Sequence, residues 1–255
     1  MQTVTFVLIA LGLSDVRGCE LNQILESLPP EELSRLQPYL KRVPLVAGQR
    51  LVSVDEQLSA LWFPERGAVS RLIQLLTGET VEAGIIGNEG LIGLPPVLGS
   101  TNSVGACTVQ VDGSALMIGV ADFQEQVRNT GSPLLDALLI YTNLHIAVLG
   151  QLTACHCLHR IEQRLSRCIL QLHDRLGGDR VRTTHDVLAE FLGVHRPSVT
   201  YALQALAATG TVSLERRSII IHDRNGLEEH ACECYTAIRR ITQRELDRMR
   251  VLRSV

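Results

Sequence analysis

The segment from Thr184 to Ile221 limits the possible folds of this 255-residue chain more than any other stretch does. Leu188 and Leu192 recur four residues apart, which places both on one face of a short helix. Gly193 follows where that helix must end, because glycine accepts the left-handed backbone conformation of many helix exits. The spacing predicts a first helix that is capped by Thr184 and reverses direction at Gly193.

A second helix is predicted to begin at Arg196 and Pro197, since the missing N–H of proline has no intrahelical partner in a first turn. Its inward face is apolar and comprises Val199, Ala202, Leu203 and Leu206. Its outward face is polar and comprises Arg196, Ser198, Thr200, Tyr201 and Gln204. The helix is expected to span residues 196–208 and to end at Thr209 and Gly210.

A β-hairpin is predicted after the second helix. The alternation at residues 211–214 indicates one strand, and the β-branched run at 218–221 indicates the returning strand. Glu215, Arg216 and Arg217 form the tip. A polar recognition helix beside an arginine-bearing hairpin suits a DNA major groove that is flanked by phosphates. An ordinary helical hairpin is the alternative, but it does not account for the coincidence of turn glycine, polar face and basic tip.

The charge distribution favours DNA binding although the net charge of the chain is −3. Residues 1–158 hold 8 basic and 15 acidic side chains, giving −7, whereas residues 159–255 hold 16 and 12, giving +4. The positive charge that attracts phosphate therefore coincides with the predicted recognition helix. The seven cysteines show no disulfide pattern, which favours a reducing, cytoplasmic environment.

The chain upstream of the two helices is predicted to consist of short strands followed by one long helix. Runs of β-forming residues alternate with turn signals between residues 43 and 118, a pattern typical of a β-barrel or jelly roll. Hairpin turns are predicted at Thr77–Glu79 and at Asp112–Gly113. Two short helices, at residues 21–28 and 31–40, precede the strands.

Ser132 and Pro133 open the long helix, whose apolar residues form two stripes. The first stripe consists of Leu134, Leu138, Tyr141, His145, Val148 and Leu152. The second consists of Leu135, Leu139, Ile146 and Leu149. A helix that is apolar on two faces must be buried on two faces, and its periodicity allows both faces to be buried within one domain. Residues 153–159 are expected to join it to a helix at 160–176, and a terminal helix is expected at 227–250.

The first 20 residues contain an apolar run at 4–13 with the length of a signal-peptide core, but no basic residue precedes it. Residues 16–19 bear a slight similarity to a lipoprotein cleavage box, into which Arg17 fits poorly. We expect a poorly ordered extension or a start codon assigned too early. Because no stretch reaches about 20 apolar residues, no membrane-spanning helix is expected.

From about Leu21 to Arg250, and most specifically at residues 184–221, the chain resembles Crp/Fnr-type bacterial transcription regulators. The resemblance implies an α+β fold with an N-terminal β-roll, similar to the cyclic-nucleotide-binding jelly roll, a long dimerisation helix and a C-terminal winged helix-turn-helix. The corresponding divisions are an extension at 1–20, a β-roll sensor domain at 21–132, a dimerisation helix and hinge at 133–158 and a DNA-binding domain at 159–255. The resemblance also implies a cytoplasmic homodimer that binds double-stranded DNA at a near-palindromic operator, with RNA polymerase as a further candidate partner and no membrane contact.

The resemblance assigns candidate DNA contacts. Arg196 occupies a family position that reads base edges and is expected to bind guanine. Pro197 and Tyr201 stand where related proteins carry glutamate and arginine, so a changed operator sequence is expected. The candidate base contacts are Arg196, Pro197, Thr200 and Tyr201. The candidate backbone contacts are Ser198, Gln204, Arg216 and Arg217.

The sequence leaves the signal open. A glycine-rich turn similar to the nucleotide-binding turn of the family marks a candidate effector pocket, formed by Gly87, Glu89, Gly90 and Leu91. No Lys or Arg occurs between residues 94 and 117, however, and a buried phosphate without a cation lacks its strongest partner. This absence disfavours a cyclic nucleotide as the signal.

A metal- or redox-responsive regulator is the other alternative, through the group Cys155, His156, Cys157 and His159. Cys155 and His159 share a face if the segment is helical. The spacing matches no recognised metal motif, and Cys232 and Cys234 are expected to point to different sides of a helix. No metal and no cofactor are therefore assigned. An enzyme is not expected either, because Gly-x-Ser-x-Gly, Walker and His-Glu-x-x-His motifs are absent from the sequence.

Overall fold

The computed structural model describes residues 21–127 and 132–254, so the extension predicted at residues 1–20 lies outside the described residues. The helices are α1 (Gln23–Glu26), α2 (Pro30–Leu36), α3 (Val120–Val127), α4 (Pro133–Leu158), α5 (Ile161–His173), α6 (His185–Leu192), α7 (Arg196–Ala208), α8 (Arg224–His230) and α9 (Cys234–Val251). The strands are β1 (Lys41–Leu45), β2 (Arg50–Val52), β3 (Ala60–Gln74), β4 (Thr80–Ile86), β5 (Ala106–Gly119), β6 (Arg180–Arg182), β7 (Val212–Glu215) and β8 (Ser218–Ile221). The predicted α+β order of a strand-rich domain, a long helix and a helix-turn-helix is confirmed.

The N-terminal domain is an antiparallel sheet with the strand order β1-β5-β3-β4, and β2 pairs with β5. Strands β3 and β5 are 15 and 14 residues long. Register shifts along their pairing bend both strands and curl the sheet. The hairpin turn predicted at Thr77–Glu79 is confirmed, because it joins β3 to β4 and Gly78 there has a φ of 90°.

The hairpin turn predicted at Asp112–Gly113 is wrong, because both residues lie inside β5. A Cβ atom at Gly113 would lie 2.1 Å from the carbonyl oxygen of Arg66 on β3. The glycine therefore permits two backbones to approach closely at a bulge and does not reverse the chain. Residues 60–74 likewise form one long strand, β3, where the sequence pattern indicated shorter runs separated by turns.

Helix α4 packs its first apolar stripe against the sheet. Leu134, Leu138 and Tyr141 are buried in one core with Leu25 of α1 and Met249 of α9. The C-terminal helix therefore returns to the N-terminal domain and completes its core.

The end of α4 lies later than predicted. Residues 153–158 continue the helix, and the junction with α5 consists of His159 and Arg160. No glycine or proline interrupts this stretch, and the N–H of His159 still donates to the carbonyl oxygen of Cys155 at 3.1 Å. The segment from Cys155 to His159 is therefore helical, and its two end residues share a face.

The second apolar stripe of α4 is largely uncovered in a single chain. Leu139 and Ile146 are 49% and 63% exposed, while Leu135 and Leu149 are half-buried. By length and composition alone α4 could cross a membrane, contrary to the expectation from the sequence, and a third of its most apolar window is buried inside the protein. The helix thus has one face on its own sheet and one apolar face without a partner.

The C-terminal domain contains the two predicted helices as α6 and α7. The hydroxyl of Thr184 accepts from the N–H of Val187 at 3.2 Å and caps α6, and Gly193 ends α6 with a φ of 61°. The wing strands are confirmed as β7 and β8, and the sequence missed β6, which pairs with β8. The structural roles predicted for Thr184 and Gly193 are confirmed.

The single terminal helix predicted at 227–250 is two helices, α8 and α9. Residues 231–233 separate them without a glycine or proline. The carboxylate of Asp223 accepts from the N–H of Gly226 at 3.0 Å and starts α8 earlier than predicted. Cys232 consequently lies in a connection, and Cys234 is the first residue of α9.

Two ion pairs join α5 and the residues just after it to β4 and the turn that follows β4. Arg167 and Glu82 of β4 are both fully buried, with 3.6 Å between the guanidinium and carboxylate atoms. Arg175 pairs with Glu89 and also donates to the carbonyl oxygen of Ile85 at 3.3 Å. Helix α5 and the residues that follow it are therefore fixed to β4 and the turn after it.

Candidate nucleic-acid interface

Helix α7 is amphipathic as the sequence predicts. The four residues of its predicted inward face, Val199, Ala202, Leu203 and Leu206, are buried against α5 and α6. Tyr201 is 73% exposed, and Arg196, Pro197 and Gln204 are also exposed. The first turns of α7 therefore present a polar surface on an apolar base.

Arg196 is the first residue of α7, and its Nε lies 3.2 Å from Asp186 Oδ1 at the start of α6. Both side chains are largely exposed, so water screens the pair and it contributes little stability. The aspartate holds the guanidinium near the helix start without burying it. A phosphate or a guanine edge can replace this partner at small cost.

Thr200 differs from its neighbours because its hydroxyl is engaged within the motif. It donates to the carbonyl oxygen of Arg196 at 3.2 Å and lies 2.9 Å from Nδ1 of His185. These contacts link the start of α6 to the second turn of α7.

Ser198 is half-buried and lines a groove of about 680 Å³ with the β3–β4 hairpin, including Val81. The remaining predicted base contacts, Arg196, Pro197 and Tyr201, are the exposed ones.

The wing tip consists of Arg216 and Arg217, both exposed, between paired residues Glu215 and Ser218. Arg217 has a φ of 58°, and its carbonyl oxygen accepts from the N–H of Thr183 at 3.1 Å. The tip is therefore fixed to the chain that leads into α6.

Strand β6 adds two arginines to the wing that the sequence interpretation missed. Arg182 is exposed, and Arg180 pairs with Glu215 and with the hydroxyl of Ser218. Val181 between them is fully buried. The alternation of arginine, valine and arginine was the available signal for a half-buried strand.

The β-roll encloses a mainly apolar cavity of about 240 Å³. Of the four predicted effector residues, Leu91 lines this cavity together with Ile86, Leu94 and Val104. Glu89 instead pairs with Arg175 and accepts from the N–H of Gly87 at 3.1 Å. A Cβ atom at Gly90 would lie 2.7 Å from the hydroxyl oxygen of Tyr141, so this glycine permits α4 to pack closely.

A cation is present in the cavity, although the absence of Lys and Arg from residues 94–117 led us to expect none. Arg71 of β3 lines it, and its guanidinium contacts the imidazole of His145 on α4. Burial, and then the charge of Arg71, lower the pKa of His145 to about 4, so the ring is neutral and accepts this hydrogen bond. No carboxylate pairs with Arg71 among residues 21–127 and 132–254. Arg71 lies outside residues 94–117 because β3 precedes the glycine-rich turn in the sequence.

The four cysteine and histidine residues at the end of α4 do not form one group. The Nδ1 of His156 accepts from Arg164 at 2.9 Å, and Cys157 is exposed. Cys155 and His159 lie together on the opposite side, beside Cys232 and Cys234. The expectation that Cys232 and Cys234 point to different sides is wrong, because Cys232 precedes α9 and is not part of it.

Residues 163–230 match the family model of the Crp-like helix-turn-helix domain. The fold is similar to FixK2 from Bradyrhizobium japonicum, with 15% identity, a TM-score of 0.64 and coverage of 76% of this chain and 98% of that one. It is also similar to a transcriptional regulator of the CRP/FNR family from Thermus thermophilus, with 19% identity, a TM-score of 0.61 and coverage of 75% and 98%. The c-di-GMP-responsive global regulator CLP of Xanthomonas campestris gives 14% identity, a TM-score of 0.62 and coverage of 75% and 98%. A search of curated proteins found no match.

Proposed function

We propose that this chain, whose fold is similar to that of CRP/FNR-family regulators and which contains a Crp-like helix-turn-helix domain, is a Crp/Fnr-type transcription regulator that binds a near-palindromic DNA operator as a homodimer. The observation that carries the proposal is the uncovered polar face of α7, which begins with an exposed arginine, beside a wing tip of two exposed arginines. In this mode α7 enters the major groove, and the wing contacts the flanking phosphates.

The uncovered stripe of α4 supports the homodimer. Leu139 and Ile146 expose apolar surface on the face opposite the sheet, and a second copy of α4 would bury it. A two-fold axis between the helices relates two copies of α7. Such a dimer reads two half-sites whose centres lie about 34 Å apart, in successive major grooves.

Selection of bound fragments from genomic DNA with the purified protein tests the proposal directly. We expect enrichment of one motif with two inverted half-sites separated by about one helical turn. Enrichment of a single unrepeated half-site would contradict the dimer. An absence of any enriched sequence would contradict sequence-specific DNA binding.

Replacing Arg196 by Ala is expected to cost about 1–3 kcal/mol of binding free energy at the selected operator and to relax the preference at one base pair. The reason is the loss of a bidentate hydrogen bond to guanine. Fluorescence anisotropy with operators altered at single positions measures both effects. Arg50→Ala, at an exposed arginine of β2, is the matched control and should bind as the wild type does. An equal loss on specific and random DNA would make Arg196 a phosphate contact instead.

Replacing Arg217 by Asn is expected to weaken binding equally on every sequence and to reduce the slope of log affinity against log salt by about one. Asparagine tolerates the positive φ of this position, so the change removes the charge and keeps the turn. Titrations at several salt concentrations measure the slope. Arg217→Lys keeps the charge and should keep the slope. An unchanged slope in Arg217→Asn would show that this side chain makes no phosphate contact.

A further inference from the structure

Four potential metal ligands converge where α4 ends and α9 begins. The Sγ atoms of Cys155, Cys232 and Cys234 and a ring nitrogen of His159 all lie within 4.8 Å of one another. The Sγ atoms of Cys155 and Cys232 are 3.5 Å apart, and Cys234 Sγ is 3.5 Å from Nδ1 of His159. The three cysteines are buried and the histidine is half-buried.

Local structure explains this convergence. Cys155 and His159 are separated by one helical turn at the end of α4, so they face the same way. Cys232 lies in the connection between α8 and α9, and Cys234 is the first residue of α9. This break allows two cysteines separated by one residue to point to the same side, which a continuous helix would prevent.

Two of the ligand separations match a single tetrahedral ion, and every other pair of ligand atoms lies within 4.8 Å. Zn²⁺ with bonds of about 2.3 Å to sulfur and about 2.0 Å to nitrogen separates two thiolates by roughly 3.8 Å, and a thiolate from an imidazole nitrogen by roughly 3.5 Å. The observed separations of 3.5 Å are close to both values. An iron–sulfur cluster distributes its ligands over at least two iron atoms and requires a wider arrangement. Three cysteines and one histidine are also a common ligand set of closed structural zinc sites.

Polar groups around the four residues are placed as metal sites require. The Nε2 of His159 lies 3.1 Å from the carboxylate of Glu233, which accepts a hydrogen bond from Nε2–H in the tautomer whose Nδ1 faces Cys234. The side-chain amide of Gln151 donates to Cys234 Sγ at 3.0 Å. A carboxylate on the outer nitrogen fixes the tautomer and orientation of a metal-bound histidine. A merely apolar packing of cysteines needs neither contact.

We propose that Cys155, His159, Cys232 and Cys234 bind one Zn²⁺ ion per chain, with Glu233 as the residue that positions His159. The thiols lose their protons to solvent as the zinc–sulfur bonds form. The ion joins the last turn of α4 to the first residue of α9. It thereby fixes the junction at His159 and Arg160 that leads into the DNA-binding domain.

Metal analysis of the full-length protein, purified and dialysed with a reductant present, tests the site. We expect one zinc per chain, and replacement by Co²⁺ should give the intense visible bands of a tetrahedral complex with thiolate charge-transfer absorption. Cys234→Ser and Cys232→Ser should lose both signals. Cys157→Ser is the matched control, because Cys157 lies between Cys155 and His159 but is exposed and outside the ligand group, and it should keep one ion.

Glu233→Gln tests the positioning role without removing a ligand. We expect it to retain the Co²⁺ spectrum and to lower the metal affinity by about 10- to 100-fold, measured by competition with a chelator. Far-UV circular dichroism verifies that each variant is folded. Absence of Co²⁺ bands in the wild type, equal bands in Cys234→Ser, or two irons with inorganic sulfide per chain would overturn the site. An unchanged affinity in Glu233→Gln would overturn the role of Glu233.

The effect on DNA binding rests on the proposed function and is tested separately. A chelator should lower the operator affinity of the wild type, and addition of Zn²⁺ should restore it, while Cys157→Ser behaves identically. If zinc binds but chelation leaves operator affinity unchanged, the effect of zinc on DNA binding is overturned and the zinc site itself stands. If no DNA binds under any condition, the proposed function fails while the Co²⁺ spectrum still decides the site.

Discussion

Replacing Ile146 by Glu is expected to convert the proposed homodimer into monomers. Binding to the full operator should then weaken by about 10²- to 10⁴-fold, because two linked reading heads gain about that much affinity over one. Ile146 is 63% exposed on the uncovered stripe of α4, so the isolated chain tolerates a charge there. A dimer would bury that charge without a partner, which is costly. Sedimentation velocity measures the association, and anisotropy with full operators and isolated half-sites measures the loss.

Val46→Glu is the matched control for this experiment. Val46 is 56% exposed in the turn between β1 and β2, far along the chain from α4. The control should remain dimeric and should bind the full operator as the wild type does. Affinity for an isolated half-site should be the same in all three proteins. An Ile146→Glu protein that sediments as a dimer would refute the pairing of the two α4 helices.

Replacing Glu82 by Gln is expected to lower the free energy of unfolding by about 3–5 kcal/mol, because it leaves the charge of Arg167 buried without its partner. Both side chains are fully buried between β4 and α5. Arg167 retains a hydrogen bond to Gln171, which does not neutralise its charge. Urea denaturation followed by circular dichroism measures the change as a lower midpoint with the same slope.

The double variant that combines Glu82→Leu with Arg167→Met separates charge burial from packing. Replacing both partners with apolar residues of similar size removes the desolvation cost, so most of the lost stability should return. Glu79→Gln, at an exposed position of the neighbouring hairpin, should change stability by less than about 0.5 kcal/mol. A loss below about 1 kcal/mol in Glu82→Gln would mean that another group neutralises Arg167.

The helix-turn-helix could be predicted from the sequence because its determinants are local. The cap at Thr184, the left-handed Gly193 and the apolar residues of α7 each act within a few residues of the chain. Because these local signals agree with one another, the predicted bounds of α6 and α7 lie within a residue or two of the observed bounds. Charge partitioning added the expectation of a phosphate partner, which no local spacing provides.

The continuity of β5 at Gly113, the break between α8 and α9 and the place of Arg71 could not be predicted, because contacts between distant residues determine them. Gly113 has the composition of a turn, yet its conformation depends on the backbone of Arg66 across the sheet. The break before Cys234 carries no glycine or proline, so nothing in its composition separates α8 from α9. Arg71, the cation that lines the cavity of the β-roll, precedes the glycine-rich turn in sequence and lies beside Leu91 of that turn only in the folded sheet.

The return of α9 to the N-terminal core has a consequence for biosynthesis. Met249 and Leu246 fill the same core as Leu25 and Leu138, so residues from both ends of the described chain close one apolar interior. A nascent chain that still has α9 in the ribosomal tunnel cannot complete its first domain, although every strand of that domain has been synthesised. Such long-range closure slows folding and leaves apolar surface open to aggregation. The first domain therefore completes its core only when α9 has been synthesised and can pack against it.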